Sequence, residues 1–243
     1  MERQDDLQTG GLYILQDPDL FCFSTDAVLL ADFAALKPEE RVIDLGSGCG
    51  ILPLLMYARE PSCTFTAVEL QPQLYDLLKK SIHLNRLERF IFPVLGDIKA
   101  GGDWLSPPYD VCVCNPPYEK VRQGQPRQAK THDIARKEIA VTLREICSCA
   151  AKALRSGGRF YLCLRPDRLA EACFLLKSVR LEPKLLRTVH AKTDREARLC
   201  LLLARKDGHE GMRIAPPLFL YDTDGTESAE LKKIYRRGEE CGK

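Results

Sequence analysis

The 243-residue chain has no run of about 18 apolar residues, which excludes a membrane-spanning helix of ordinary length. Its first residues, Met1-Glu2-Arg3-Gln4-Asp5-Asp6, are polar and acidic, the reverse of the basic-then-apolar start of an export signal, so a cytoplasmic location is expected. Histidine is scarce: the four copies (His83, His132, His190, His209) are scattered, and none of the eleven cysteines forms a Cys-x-x-Cys pair. A metal centre built on short ligand pairs is therefore not expected. Cys112, Cys114, Cys163 and Cys200 lie inside apolar segments and read as small buried hydrophobes kept reduced. There is no internal repeat or low-complexity tract. The one tryptophan, Trp104, flanks Ser106-Pro107-Pro108 together with Tyr109 and reads as packing around a turn.

Net charge is also small, at +2, but it is unevenly spread. Residues 1–114 carry 9 Lys and Arg against 17 Asp and Glu, whereas residues 115–243 carry 27 against 17. A basic half beside an acidic half is compatible with a face that meets phosphates, as it is with a set of solvated helix faces. The longest insertion, residues 119–137, holds Lys120, Arg122, Arg127, Lys130, Arg136 and Lys137 against Glu119 and Asp133. Arg122, Arg127, Lys130, Arg136 and Lys137 are candidates to hold an RNA backbone, with His132 beside them.

Apolar runs and helical periodicities alternate from residue 41 to about residue 165, the pattern of a parallel sheet with helices on both faces. Strands are predicted at 41–45, 64–69, 90–95, 109–114 and 159–164, then at 184–190 and 197–204. Helices are predicted at 50–59, 72–86, 136–156, the last closed by Ser156-Gly157-Gly158, and 166–178. One main domain is expected at 37–207. An N-terminal extension over 1–36 carries the alternating Leu12-Tyr13-Ile14-Leu15 and a helix from Ala27 to Leu36 capped by Ser24 or Thr25. A C-terminal tail over 208–243 holds an edge strand near Pro216-Pro217-Leu218-Phe219-Leu220 and a charged helix at 226–237.

Strand 41–45 ends in Asp44 and enters Gly46-Ser47-Gly48-Cys49-Gly50, where missing side chains let a ligand approach the backbone at a helix N-terminus. Dinucleotide turns read Gly-x-Gly-x-x-Gly, and here Ile51 stands where the third glycine belongs, which favours a different nucleoside ligand. S-adenosylmethionine fits better. Glu69 closes the second strand, where an acid can accept both ribose hydroxyls. Asp97, with Ile98 after it, follows the third strand and is placed to take an adenine amine.

The fourth strand runs into Asn115-Pro116-Pro117-Tyr118. The nitrogen of an adenine amine or an amide has a delocalised lone pair and is a poor nucleophile, so a site that uses it has to grip it. The Asn115 side-chain oxygen and the Pro116 carbonyl can accept its two N–H bonds. Pro116 and Pro117 stiffen the turn and offer no competing donor, and Tyr118 supplies a flat face on which a base can stack. These four residues are the catalytic candidates, and Asn115 also borders the donor site.

Asp44 to Gly50, Glu69, Gly96-Asp97 and Asn115 to Tyr118 resemble the successive motifs of class I S-adenosylmethionine-dependent methyltransferases acting on exocyclic or amide nitrogens. The stretch Phe21-x-Phe-Ser-Thr-Asp-Ala-Val-Leu-Leu-Ala31, with Ala135-Arg-Lys-Glu138, Arg165-Pro-Asp-Arg-Leu-Ala-Glu171, Pro216-Pro-Leu-Phe-Leu-Tyr221 and Asp224-Gly225, is similar to the valine-tRNA adenosine N6-methyltransferase group. Lys137 and Ser81 depart from it, since that pattern has His and often Asn at those positions. The resemblance implies a Rossmann-like fold with a seven-stranded, mostly parallel sheet whose last strand is antiparallel. It also implies methyl transfer to N6 of a tRNA adenosine, a monomer or weak dimer, and a pocket wall formed by the extension, with Phe23 and Asp26 on the substrate side. Three alternatives stay open: a release-factor glutamine, guanine N2 of ribosomal RNA, or a Rossmann-like module that binds NAD and transfers nothing. The release-factor enzymes usually carry a separate N-terminal helical domain, and only about 40 residues precede the first core strand here, so that alternative is the less expected one.

Overall fold

A computed structural model of the protein describes residues 1–20, 22–106, 108–116 and 141–236. Phe21, Pro107 and residues 117–140 and 237–243 lie outside the described residues. Pro117, Tyr118 and the candidates Arg122, Arg127, Lys130, His132, Arg136 and Lys137 are among these.

In chain order the elements are β1 (Arg3–Asp6), β2 (Tyr13–Gln16), α1 (Thr25–Phe33), β3 (Arg41–Leu45), α2 (Ile51–Arg59), β4 (Thr64–Glu69), α3 (Pro72–Leu84), β5 (Ile91–Leu95) and β6 (Tyr109–Cys114). They continue with α4 (Leu143–Ala153), β7 (Leu154–Leu164), α5 (Leu169–Ser178), β8 (Leu181–His190), β9 (Ala197–Lys206), β10 (Arg213–Ile214), β11 (Leu218–Phe219) and α6 (Ala229–Arg236). The main sheet runs β10-β8-β9-β7-β6-β3-β4-β5, with β11 also on β8. β3 pairs in parallel with β4 on one side and β6 on the other, so the chain reverses direction across the sheet at β3. Ligands of open α/β sheets gather at that switch point.

The seven strands β3 to β9 form the expected sheet, and β9 is antiparallel to both β7 and β8. Two short strands from the tail, β10 and β11, pair in parallel with β8 and bring the sheet to nine. Alternate side chains along the central strands face opposite layers. Val42, Phe65, Ala67, Val111, Val113 and Cys163 join one core with α1, α2 and α3, while Ile43, Leu45, Val68, Cys112, Cys114 and Leu162 join another with α4 and α5. Both faces are covered, which is why these strands read as unbroken apolar runs. Among the described cysteines eight are buried, and burial pushes the thiols of Cys49 and Cys147 up to about 12 and those of Cys112 and Cys114 well above the ordinary value. No helix among the described residues is long and apolar enough to cross a membrane.

Several boundaries differ from the sequence expectation. Ser156-Gly157-Gly158 does not end a helix: α4 stops at Ala153 and β7 starts at Leu154, so the glycines lie in the strand, with Gly157 at φ +75. A Cβ on Gly158 would lie 2.8 Å from the Arg155 carbonyl oxygen, so this kinked stretch admits glycine for steric reasons. The buried Leu154 pulls the chain into the sheet before the glycines are reached. Helix α1 ends at Phe33, three residues early, and Ser24 holds the N-cap position without a side-chain cap bond. The tail helix begins at Ala229.

The alternating Leu12 to Leu15 stretch becomes β2, and its partner is the polar β1, with Arg3 opposite Gln16 and Asp6 opposite Tyr13. Helix α3 holds this hairpin by side chains. The fully buried Ser81 hydroxyl accepts from Leu15 N at 3.0 Å, and Asn85 accepts from Tyr13 N at 2.8 Å while donating to the Tyr13 carbonyl. Ser81 thus carries a specific role at a position where the related pattern has Asn. Gln16, 2% exposed, continues the chain of contacts, since its Oε1 accepts from Phe23 N at 2.9 Å and its Nε2 donates to Asp5. Ser81→Ala takes the acceptor from the half-buried Leu15 N–H and is expected to lower stability by about 0.5–1.5 kcal/mol in urea unfolding.

Candidate functional site

The turn after β3 closes on itself before any ligand is considered. Gly46 N and Ser47 N both donate to the Val68 carbonyl at 2.9 Å, and Gly50 N donates to the Ser47 carbonyl at 2.9 Å. Gly48 N donates to Glu69 Oε2 at 2.8 Å. The other carboxylate oxygen, Oε1, accepts from Gln71 N at 2.8 Å, so Glu69 ties the turn to the start of α3. Glu69 is 5% exposed, and burial raises its pKa while the N–H donors of Gln71, Gly48 and Leu70 oppose the rise. Each oxygen keeps a second lone pair for further donors.

Gly46, Gly48 and Gly50 all adopt positive φ, at +79, +58 and +94. Their surroundings differ. A Cβ on Gly46 would meet nothing within 4 Å, whereas one on Gly50 would lie 2.6 Å from Leu78 Cδ1. Gly46 therefore leaves open space beside the turn, and Gly50 lets α2 and α3 approach each other. With four N–H groups of the turn already bonded inside the protein, the loop is not the set of free donors that cradles a pyrophosphate. This weighs against the dinucleotide alternative.

Asp44 lies one residue from the end of β3, level with Ala67 of β4 and Val113 of β6. It is 1% exposed, and neither carboxylate oxygen, nor the Ser47 hydroxyl, has a hydrogen-bond partner among the described residues. Burial pushes its pKa up to about 7, the nearby Ser47 hydroxyl opposing the rise and the Glu69 charge adding to it. A buried acid without a donor calls for a cationic or hydrogen-bonding ligand, and S-adenosylmethionine, which carries positive charge and ribose hydroxyls, fits the set of Asp44, open Gly46 and Glu69.

The adenine-side candidates stand on the next strand. Gly96 N donates to the Glu69 carbonyl at 2.9 Å, and Asp97 Oδ1 accepts from Lys99 N at 2.8 Å. Asp97 and Ile98 are half-buried. Asn115 leaves β6 two residues after Val113, which pairs with Asp44, so the turn it opens starts beside the Gly46 to Gly50 turn. Asn115 is half-buried and Pro116 buried.

The C-terminal end of α1 is fixed to β7, since the Ala35 carbonyl accepts from Arg159 Nη1 at 2.6 Å and from the Tyr161 hydroxyl at 3.2 Å. Phe23 lines a cavity of about 230 Å³ with Val28, Ile51, Leu55, Arg59 and Tyr235. None of Asp44, Glu69, Asp97, Asn115 or Asp26 borders that cavity. Sequence reasoning missed the Glu69 clamp on Gly48, the partner role of Gln71 and the hold of Gln16 on Phe23. Only the first two left a trace, an acid at a strand end followed by Gln71-Pro72 at a helix start.

Residues 13–180 match the methyltransferase small domain family. A tRNA1(Val) (adenine(37)-N6)-methyltransferase of Histophilus somni strain 129Pt is 29% identical over 238 residues, 96% of this chain and 97% of that protein. The protein of the same name from Haemophilus influenzae strain PittGG is 32% identical over 129 residues, 51% of this chain and 53% of its own. Among solved structures, a predicted O-methyltransferase from Agrobacterium tumefaciens is similar at a TM-score of 0.71 and 21% identity, covering 88% of this chain and 96% of that one. A T. thermophilus 16S rRNA N2 methyltransferase in complex with AdoMet and guanosine is similar at a TM-score of 0.56 and 18% identity, covering 85% and 50%. At these identities the solved structures show a shared class I methyltransferase fold.

Because the folded Asp44 carboxyl titrates near 7 against 3.8 for an ordinary one, the native state holds a proton that the unfolded chain has lost. Its contribution is complete below about pH 4 and is lost as pH rises through 7. Asp44→Asn is expected to exceed the parent in stability by a margin that widens by roughly 2–3 kcal/mol between pH 5 and pH 8, read from urea unfolding at both. A constant margin would show that Asp44 is ionised and compensated without ligand.

Proposed function

The chain belongs to the methyltransferase small domain family, and on that footing we propose that it transfers a methyl group from S-adenosylmethionine to N6 of an adenosine in tRNA, of the tRNA1(Val) adenine-37 type. The observation that carries this reading is the convergence at one switch point of the unpartnered Asp44, the Glu69 carboxylate and the strand end that delivers Asn115. Near-full-length similarity to relatives named as tRNA1(Val) (adenine(37)-N6)-methyltransferases supports the acceptor.

When bound, S-adenosylmethionine supplies a methyl group already activated by its sulfonium. The protein then acts mainly by orientation. Asp44 and the open face of Gly46 receive the charged end of the donor, Glu69 accepts from its ribose, and Asp97 with Ile98 takes the adenine. Asn115 and Pro116 accept the two N–H bonds of the acceptor amine and aim its lone pair. Pro117, Tyr118 and the basic residues Arg122, Arg127, Lys130, Arg136 and Lys137 are assigned here from the sequence, Tyr118 to stack the base and the others to hold phosphates. In this reading residues 1–36 wall the acceptor side through Phe23 and Asp26, residues 37–207 form the catalytic domain and residues 208–243 a tail whose strands β10 and β11 cover the sheet edge at β8.

Incubation with labelled donor and either total tRNA, ribosomal RNA or a release factor tests the acceptor. Label is expected in tRNA as N6-methyladenosine by nucleoside mass spectrometry, and label confined to guanine or to glutamine would overturn the adenosine assignment. Asn115→Ala is expected to reduce transfer by roughly a hundredfold or more while donor binding, measured by calorimetry with S-adenosylhomocysteine, stays close to that of the parent.

A further inference from the structure

Trp104 lies outside every residue set considered so far. It stands in the 3-10 turn Asp103–Leu105, half-buried, and packs with Val94 and Ile98 against the core that contains Val68. A Cβ built on Gly96 would lie 3.1 Å from the indole Nε1, and one built on Gly102 would lie 2.6 Å from the same atom. The edge of the indole is therefore seated in a slot between two glycines, the first of which opens the Gly96-Asp97-Ile98 turn. Neither glycine lies in the left-handed φ region that would demand it, Gly102 at φ 164 being extended backbone, so the crowding by the indole accounts for both. The backbone of Trp104 is fixed as well: its carbonyl accepts from the Tyr109 hydroxyl at 2.6 Å, and that hydroxyl pairs with Thr66 Oγ1 at 3.0 Å. The indole N–H has no hydrogen-bond partner among the described residues, so polar pairing does not explain why a large aromatic stands here.

We propose that Trp104 is a positioning residue for the adenine of the methyl donor. Anchored to β4 and β6 through Tyr109, it sets the height of the Gly96-Asp97 turn from below, while the Gly96 N–H bond to Glu69 sets it from the side. Asp97 and Ile98 then meet the adenine at a fixed distance from the ribose site at Glu69. This inference rests on the donor site described above.

The full chain allows a direct test, because its one tryptophan reports on its own surroundings. S-adenosylhomocysteine is expected to change the emission of the parent protein saturably, with a midpoint equal to the calorimetric Kd. Trp104→Ala is expected to raise the donor KM about tenfold, with kcat at saturating donor and the RNA KM close to the parent, and Trp104→Phe to fall between. Gly96→Ala is expected to raise the donor KM, and less so when combined with Trp104→Phe, whose smaller ring frees the slot. An unchanged donor KM in Trp104→Ala, parallel loss in kcat and both KM values, or an equal Gly96→Ala effect in the two backgrounds would overturn the positioning role while leaving the donor site standing. Absence of S-adenosylhomocysteine binding by the parent would overturn both.

Discussion

The site depends on how the Gly46 to Gly50 turn is held. Two of its N–H groups converge on one carbonyl, that of Val68, and a third reaches the carboxylate of the next residue, Glu69. The end of β4 therefore serves as the mould for the end of β3. Because Glu69 also accepts from Gln71 N, the start of α3 is registered against the same point, and the Gly96 bond to the Glu69 carbonyl extends that registration to β5. Val68 and Glu69 thus register the ends of β3, β4 and β5 against one another, and loss of the Glu69 carboxylate would release Gly48 and Gln71 together.

Most of this architecture was legible in the sequence, for a definite reason. Strands buried on both faces must be apolar at every position, so Val42-Ile43 and Val111-Cys112-Val113-Cys114 announce themselves. Glycines that need positive φ and acids at or just beyond strand ends are likewise written in residue identity, which is why Asp44, Gly46, Glu69 and Asp97 stand out as candidates. Contacts made by polar side chains to distant backbone were hidden. Nothing in Arg3-Gln4-Asp5-Asp6 marks a strand, because β1 exists through its pairing with β2 and through the grip of Ser81 and Asn85, residues 66 or more positions away. Gly157 and Gly158 misled in the opposite sense: glycines after a helical pattern read as a stop, but the burial of Leu154 had already ended the helix.

A chain of definite contacts links the N-terminal extension to the start of α2, next to the glycine turn. Ser81 holds Leu15, the adjacent Gln16 holds Phe23, and Phe23 shares a cavity with Ile51, the first residue of α2 after the glycine turn. The far end of α1 is fixed by Arg159 and Tyr161, so this segment is restrained at both ends. In the proposed reading, an extension held in this way orients the acceptor without contributing chemistry, as a reaction whose rate depends on alignment requires.

The many thiols packed into the two cores carry a consequence for the lifetime of the molecule. Folded, they are shielded and poorly ionised, so electrophiles and peroxides find little to attack. Unfolded, the same sulfurs become ordinary, reactive and numerous, and any oxidation or cross-linking in that interval prevents return to the native packing. Each excursion from the fold thus runs against a chemical ratchet, whose pace under oxidising conditions follows the equilibrium open population where refolding outruns thiol modification and the unfolding rate where it does not.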